Sequence, residues 1–196
     1  MSDCPVGTLT TVLKAVQQGT PGAVHELVHL IYEELRSLAK RQRNQSPARG
    51  LLQTTELVHE AYLKLFRQTE PTWENRRHFF WGAARAMHDV LVEEARRCKA
   101  KKRGGDRKRI EMTDDLAVWR ESQQLLYLSE AIGRLKEAST DLADVVMLHF
   151  FGGLSHDECA QILDLSVSTV RRRWSLARAW LRRELKEADV GDLTST

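Results

Sequence analysis

The chain has 196 residues, 42% of them hydrophobic and 29% charged, with a formal net charge of +3. That apolar share suffices for two small cores or one medium one, and no apolar run approaches a bilayer span, which excludes a disordered chain and a membrane protein. The opening MSDCPVG carries no basic segment followed by an apolar run, and Cys4, Cys98 and Cys159 are an odd, widely spaced set without CxxC; a reducing cytoplasm is expected, with no disulfide framework and no four-cysteine zinc site.

Apolar residues return every three or four positions almost throughout, and no stretch alternates long enough for a strand, so the fold class is all-α. A first helix over 8–18 ends at Gly19, and Pro21 opens a long second one carrying Val24, Leu27, Val28, Ile31, Leu35 and Leu38. The segment 44–50 breaks it. A third helix over 55–67 is followed by a loop over 68–75 and a long basic helix over 76–103, which Gly104 and Gly105 stop. The polar stretch onward to Arg120 lacks helical periodicity and reads as a flexible linker. Four more helices are expected over 123–135, 140–151, 155–163 and 167–186. The expected organisation is therefore a first domain at 1–103, a linker at 104–121, a second domain at 122–187 and a disordered tail at 188–196.

The modest net charge hides alternating blocks. Residues 76–109 hold twelve basic residues against four acids, 111–158 hold ten acids against three basic residues, and 168–186 hold seven basic residues against Glu184. Two separated cationic segments suggest two contacts with one polyanion, against the plainer reading of two solvated helix faces.

The last two helices carry the sharper signal. Ser155 followed by Glu158 fits a capping box, Ser166 fits an N-cap, and Leu165 is placed to staple onto Val170. Ala160, Asp164 and Val170 supply the small residue, turn former and apolar anchor of a helix-turn-helix. Asp164 stands where the turn favours a positive φ, which aspartate tolerates better than most residues. Val167, Val170, Trp174, Ala177, Leu181 and Leu185 form one apolar stripe, leaving the opposite side free. Ser168, Thr169, Arg171, Arg172, Arg173 and, further along, Arg178 are thus candidate readers of bases or phosphates in a major groove.

In the strings that follow, the chain resembles the extracytoplasmic-function (ECF) group of bacterial sigma-70 factors. GGLSHDECAQILDLSVSTVRRRWSLARAWLRREL is similar to that family's region 4, which reads the −35 promoter element. LLQTTELVHEAYLKL and HFFWGAARAM…LVEEARR…KKRGG are similar to its region 2. The resemblance implies an initiation factor that performs no chemistry, needs no cofactor and has RNA polymerase core and promoter DNA as partners, the core through its β′ clamp coiled coil and β flap. Docking on the clamp would fall to the third helix and the one before it, through Glu56, Glu60 and His59. Thr54, Thr55 and His59 stand where many relatives carry Asp, Glu or Gln. A phosphate on Thr54 or Thr55 would restore negative charge there, against the simpler reading of an N-cap threonine; a Ser/Thr kinase or an anti-sigma factor is the corresponding regulatory partner.

The loop before the fourth helix and the helix itself match the family's −10 reader. Capturing a base that leaves the stack needs stacking, edge hydrogen bonds and backbone charge, roles that suit Trp73, Glu74, Asn75 and Arg76. Phe79 and Phe80 are expected in the core and Trp81 on the strand; Arg85, His88, Arg96, Arg97 and Lys99 would line its path. His88 and Asp89 stand where this branch is usually basic, and the acid would weaken duplex contact or pair with Arg85.

Two other readings compete. A transcription regulator with a sensory first half would share the second domain, but a sensor has no reason to end in a basic helix behind a Trp-containing polar loop. His25, Glu26 and His29 spell HExxH, a zinc-protease signature on a helix, yet no third ligand follows in a recognised pattern. Ser155, His156 and Asp157 are consecutive and cannot converge as a triad.

Overall fold

The computed structural model describes residues 6–45, 51–66, 75–103 and 114–193. In chain order the helices are α1 (Val6–Gln17), α2 (Ala23–Gln45), α3 (Thr54–Phe66), α4 (Arg76–Arg103), α5 (Asp114–Ala138), α6 (Thr140–Val146), α7 (His156–Leu163) and α8 (Val167–Leu193), with a π-helical turn, Met147–Phe151, continuing α6. No strand occurs among the described residues. The chain is all-α, as its periodicity predicts.

Local sequence explains the ends of these elements. At the end of α1 the Gly19 amide bonds to the Val16 carbonyl at 3.0 Å and the Thr20 amide to the Ala15 carbonyl at 2.9 Å, the paired bonds of a Schellman stop, with Gly19 at φ 69. The Gln53 carbonyl accepts the first bond of α3, from the Leu57 amide at 3.0 Å, and the Gln53 amide donates to Glu56 Oε2 at 2.8 Å. Gln53 is therefore the N-cap. Thr54 and Thr55 occupy the first turn, which corrects the reading of either threonine as the cap.

At α4, Asn75 Oδ1 accepts from the His78 amide at 2.9 Å, a capping bond that fixes the start at Arg76. Phe79, Phe80, Ala83, Ala84, Ala86, Met87, Val90, Leu91, Val92 and Ala95 are buried, more than one helical stripe. The reason is that α4 is covered on two sides, by α3 and by α5. Its alanines let neighbouring backbones approach closely.

The second half departs from expectation in three places. α5 begins at Asp114, so 114–121 belong to a helix and not to a linker; 104–113 lie outside the described residues. The segment 140–151 is not one α-helix but changes to π geometry at Met147. α8 runs on to Leu193 where a disordered tail was expected, leaving only 194–196 outside the described residues.

Expected features of the helix pair are present. Ser155 Oγ accepts from the Glu158 amide at 3.2 Å while Glu158 Oε2 accepts from the Ser155 amide at 2.7 Å. Asp164 closes α7 in the left-handed region, at φ 55 and ψ 50. Ser166 Oγ accepts from the Thr169 amide at 3.1 Å. Val170, Ala177 and Leu181 are buried; Val167, Trp174 and Leu185 are half-buried against the core.

Buried side chains of both halves belong to one contiguous apolar cluster, from Leu9 and Ile31 through Met87 to Leu148, Ile162 and Leu181. α5 packs along α4, and the π turn and α7 also touch α4. The halves share a core.

Candidate nucleic-acid interface

The first candidate surface is the start and outer face of α8. Ser168, Arg171, Arg172 and Arg178 are exposed on it. Arg182, absent from the expected set, shares this face, because 171, 175, 178 and 182 are separated by three or four residues, and it too is exposed. Two expected readers are otherwise engaged. Thr169 is half-buried and its hydroxyl lies 2.8 Å from Ser166 Oγ, so it belongs to the cap. Arg173 leaves the exposed face to pair with Asp141 of α6 at 2.5 Å, its side chain only 23% exposed. It anchors α8.

Behind this face lies an aromatic cluster. His149 stacks on His156 with centroids 4.5 Å apart, and Trp174 meets the His149 ring edge-on at 4.5 Å. His149 Nδ1 donates to the Leu154 carbonyl at 2.5 Å. Burial lowers the His149 pKa below the ordinary histidine value and the adjacent His156 lowers it further, against the opposing Leu154 bond. Burial, with Glu158 adding to it, pushes the Cys159 thiol up to about 12. A thiol held there is unreactive.

The second surface surrounds α4. Asn75 is exposed and its Oδ1 caps the helix; Trp73 and Glu74 lie outside the described residues. Arg76 is half-buried, its guanidinium 5.0 Å from the centre of the Phe80 ring and 3.3 Å from Gln161 Oε1 of α7. Phe79 and Phe80 are buried as expected, and Trp81 is half-buried against the core. Arg85 is 80% exposed, 4.0 Å from Asp89. The acid at 89 thus lies close to Arg85, one of the two outcomes expected for it. Arg96 is exposed, and so is Arg97, which pairs with Glu94 at 3.3 Å.

His88 is the main departure. Its Nδ1 lies 3.0 Å from Asp89 Oδ1, its Nε2 lies 3.0 Å from Ser129 Oγ of α5, and the Phe151 ring meets it edge-on at 4.7 Å. Both ring nitrogens and one edge are used inside the protein. In this conformation His88 is not on a strand path.

The third surface is the α3–α4 side. Thr55, Glu56, His59 and Glu60 are exposed and Thr54 is half-buried. Glu56 and Glu60 line a hollow of about 150 Å³ whose far wall is Glu93, Glu94 and Arg97 of α4. Lys64 neutralises one wall, pairing with Glu93 at 2.6 Å. The net excess of carboxylates suits a cationic side chain from a partner. Glu93 and Glu94 were legible as acids within a basic helix, but only packing shows that they face α3.

His25, Glu26 and His29 are exposed on α2, and no group of three metal-ligating side chains converges among the described residues.

The sequence profile described as ECF sigma factor matches residues 6–187, nearly the whole chain. The chain belongs to the ECF sigma factor family. As a sigma factor it acts in transcription initiation, with RNA polymerase core and promoter DNA as the partners that membership implies. No curated protein matches it. No described helix is long and apolar enough to cross a membrane.

Proposed function

We propose that this sigma factor reads the −35 duplex with Ser168, Arg171, Arg172, Arg178 and Arg182 of α8. The melted −10 strand falls to the segment 73–76 with Trp81, Arg85, Arg96 and Arg97, and polymerase seats on Thr55, Glu56, His59, Glu60 and the acidic hollow beside them. The observation that carries this reading is the capped turn 155–166, with Asp164 left-handed, presenting an arginine face whose reverse side is buried. An arginine on such a face can bind guanine O6 and N7 together. No step of bond chemistry is involved; binding energy does the work. Run-off transcription with core polymerase over a library of genomic promoters tests it: discrete start sites that depend on this chain are expected, and none would refute it.

Phosphorylation is the finer proposal. Thr54 and Thr55 stand in the first turn of α3, where backbone amides and the helix dipole favour an added dianion, while Glu56 and Glu60 oppose it. Thr55, the exposed one, is the preferred acceptor. A Thr54→Ala/Thr55→Ala chain that transcribes in cells as well as the unaltered chain would dismiss the switch.

A further inference from the structure

Residues 166–175 carry four hydroxyl side chains, and three of them are engaged. Ser166 Oγ accepts from the Thr169 amide, Thr169 Oγ1 lies 2.8 Å from Ser166 Oγ, and Ser175 Oγ donates to the Arg171 carbonyl at 2.9 Å. The fourth, Ser168, is exposed and its hydroxyl bonds to no described residue.

The arginines that follow divide in the same way. Arg173 is tied to Asp141 of α6, whereas Arg171 and Arg172 are exposed and form no ion pair with a described residue. They stand three and four positions beyond Ser168, the spacings that make neighbours on a helix surface. Side chains on a helix tilt toward its N-terminus, which brings both long arginines within reach of position 168. The chain has no acid between Leu165 and Arg183, so no carboxylate on this stretch of α8 competes for them.

An exposed hydroxyl flanked by two uncompensated guanidiniums suits a phosphate. A serine phosphate carries close to two negative charges at neutral pH and three strong acceptor oxygens, and a guanidinium binds such a group through paired hydrogen bonds. We propose that Ser168 is a phosphorylation site, and that its phosphate silences the factor by drawing Arg171 and Arg172 away from the promoter. The donor is a nucleoside triphosphate held by a Ser/Thr kinase. The Ser168 oxygen bonds to the γ-phosphorus, the bond from that phosphorus to the β–γ bridging oxygen breaks, nucleoside diphosphate leaves, and the hydroxyl proton passes to a base of the kinase. Promoter affinity then falls for two reasons: two cations are neutralised, and a dianion faces the phosphates of the duplex. Its sign is opposite to that of a phosphate on α3. This rests on the −35 assignment proposed above.

The test uses full-length chain made with phosphoserine at 168 by stop-codon incorporation, beside the unmodified chain and one with phosphoserine at position 11, an exposed position of α1. With core polymerase, affinity for a duplex bearing the mapped −35 element should fall about a hundredfold for the 168 phosphate, about tenfold for each arginine, and the slope of log affinity against log salt should flatten by about 2. The phosphate at 11 should change neither. Phosphorus NMR of the free chain should show the 168 phosphate titrating below its ordinary value of about 6, and returning toward it in Arg171→Ala/Arg172→Ala. Unchanged −35 affinity, or a titration indifferent to those arginines, would overturn the inference. So would peptide mass mapping that finds no phosphate on Ser168 in chain recovered from its own cells, with its promoters active and with them silent. Absence of −35-dependent transcription by the unmodified chain would instead refute the assignment beneath it.

Discussion

Two neighbouring arginines in α8 illustrate how a single side chain's partners decide its task. Arg172 projects from the exposed face, whereas Arg173 is tied to Asp141. Arg172→Ala should lower −35-dependent promoter affinity by about tenfold or more, corresponding to roughly 1 to 3 kcal/mol, with circular dichroism melting unchanged. Arg173→Ala should reverse that pattern: a lower melting temperature and little change in which −35 bases are preferred. Run-off transcription on promoters with single −35 substitutions, alongside melting, separates the two. His149 supplies the pH dependence. Its folded pKa is depressed, chiefly by burial, so the folded state binds the proton less readily than the unfolded one. Its contribution is complete above the ordinary value of 6.5 and falls away as pH drops through the window beneath it. Thermal melts between pH 7 and 5 should show decreasing stability, and His149→Phe should flatten that slope. The sequence assigned charge correctly to both arginines but could not separate them, because the ion pair joins positions 32 residues apart.

For elements, local rules were most legible where one residue type solves one backbone problem. Asp164, Ser155 with Glu158 and Ser166 were all readable, since each satisfies orphan groups at a helix end or accepts a left-handed φ within a few residues of sequence. Ser155→Ala should cost about 1 kcal/mol, read as a drop in the melting temperature of the full chain. Asp164→Gly should be neutral or slightly stabilising, because glycine meets no Cβ penalty at φ 55, whereas Asp164→Val should destabilise by roughly 1 to 2 kcal/mol. The N-terminus of α5 and the far end of α8 escaped detection for a different reason. In Asp114 to Arg120 the apolar residues Leu116, Ala117, Val118 and Trp119 form one short uninterrupted run, which does not separate helix from strand by periodicity. Neither Thr54 nor Thr55 caps α3: Gln53 takes that place through its main chain, with Glu56 reaching back to its amide.

At the scale of the whole molecule, the sequence reading separated what the fold joins. A glycine pair and a polar stretch signalled two domains, and nothing in a periodicity can report that Arg41 meets Glu158, 117 residues away. The ionisation of Glu158 links this contact to the helix cap. Burial acts to raise its pKa, but the Ser155 amide and then Arg41 outweigh it, holding the carboxyl below its ordinary 4.5. Stability from this group is thus complete above that value and is lost as pH falls through the lower folded one. Acidification into that range should weaken α7 and the union of the halves together, so the melting temperature of the full chain should fall over the same pH interval in which helicity of the cap declines.

The π turn at Met147–Phe151 sets the rotational phase of everything after it. Each residue of an α-helix advances the chain by about 100°, and a π turn accommodates one residue beyond the regular count. Winding the same residues as ordinary α-helix would rotate all that follows by most of one residue's advance, swinging Phe151 off the His88 ring and carrying Gly152 and Gly153 away from Ala84 and Leu38. The wider turn thus works as an angular spacer, and the two halves fit face to face only while it is kept.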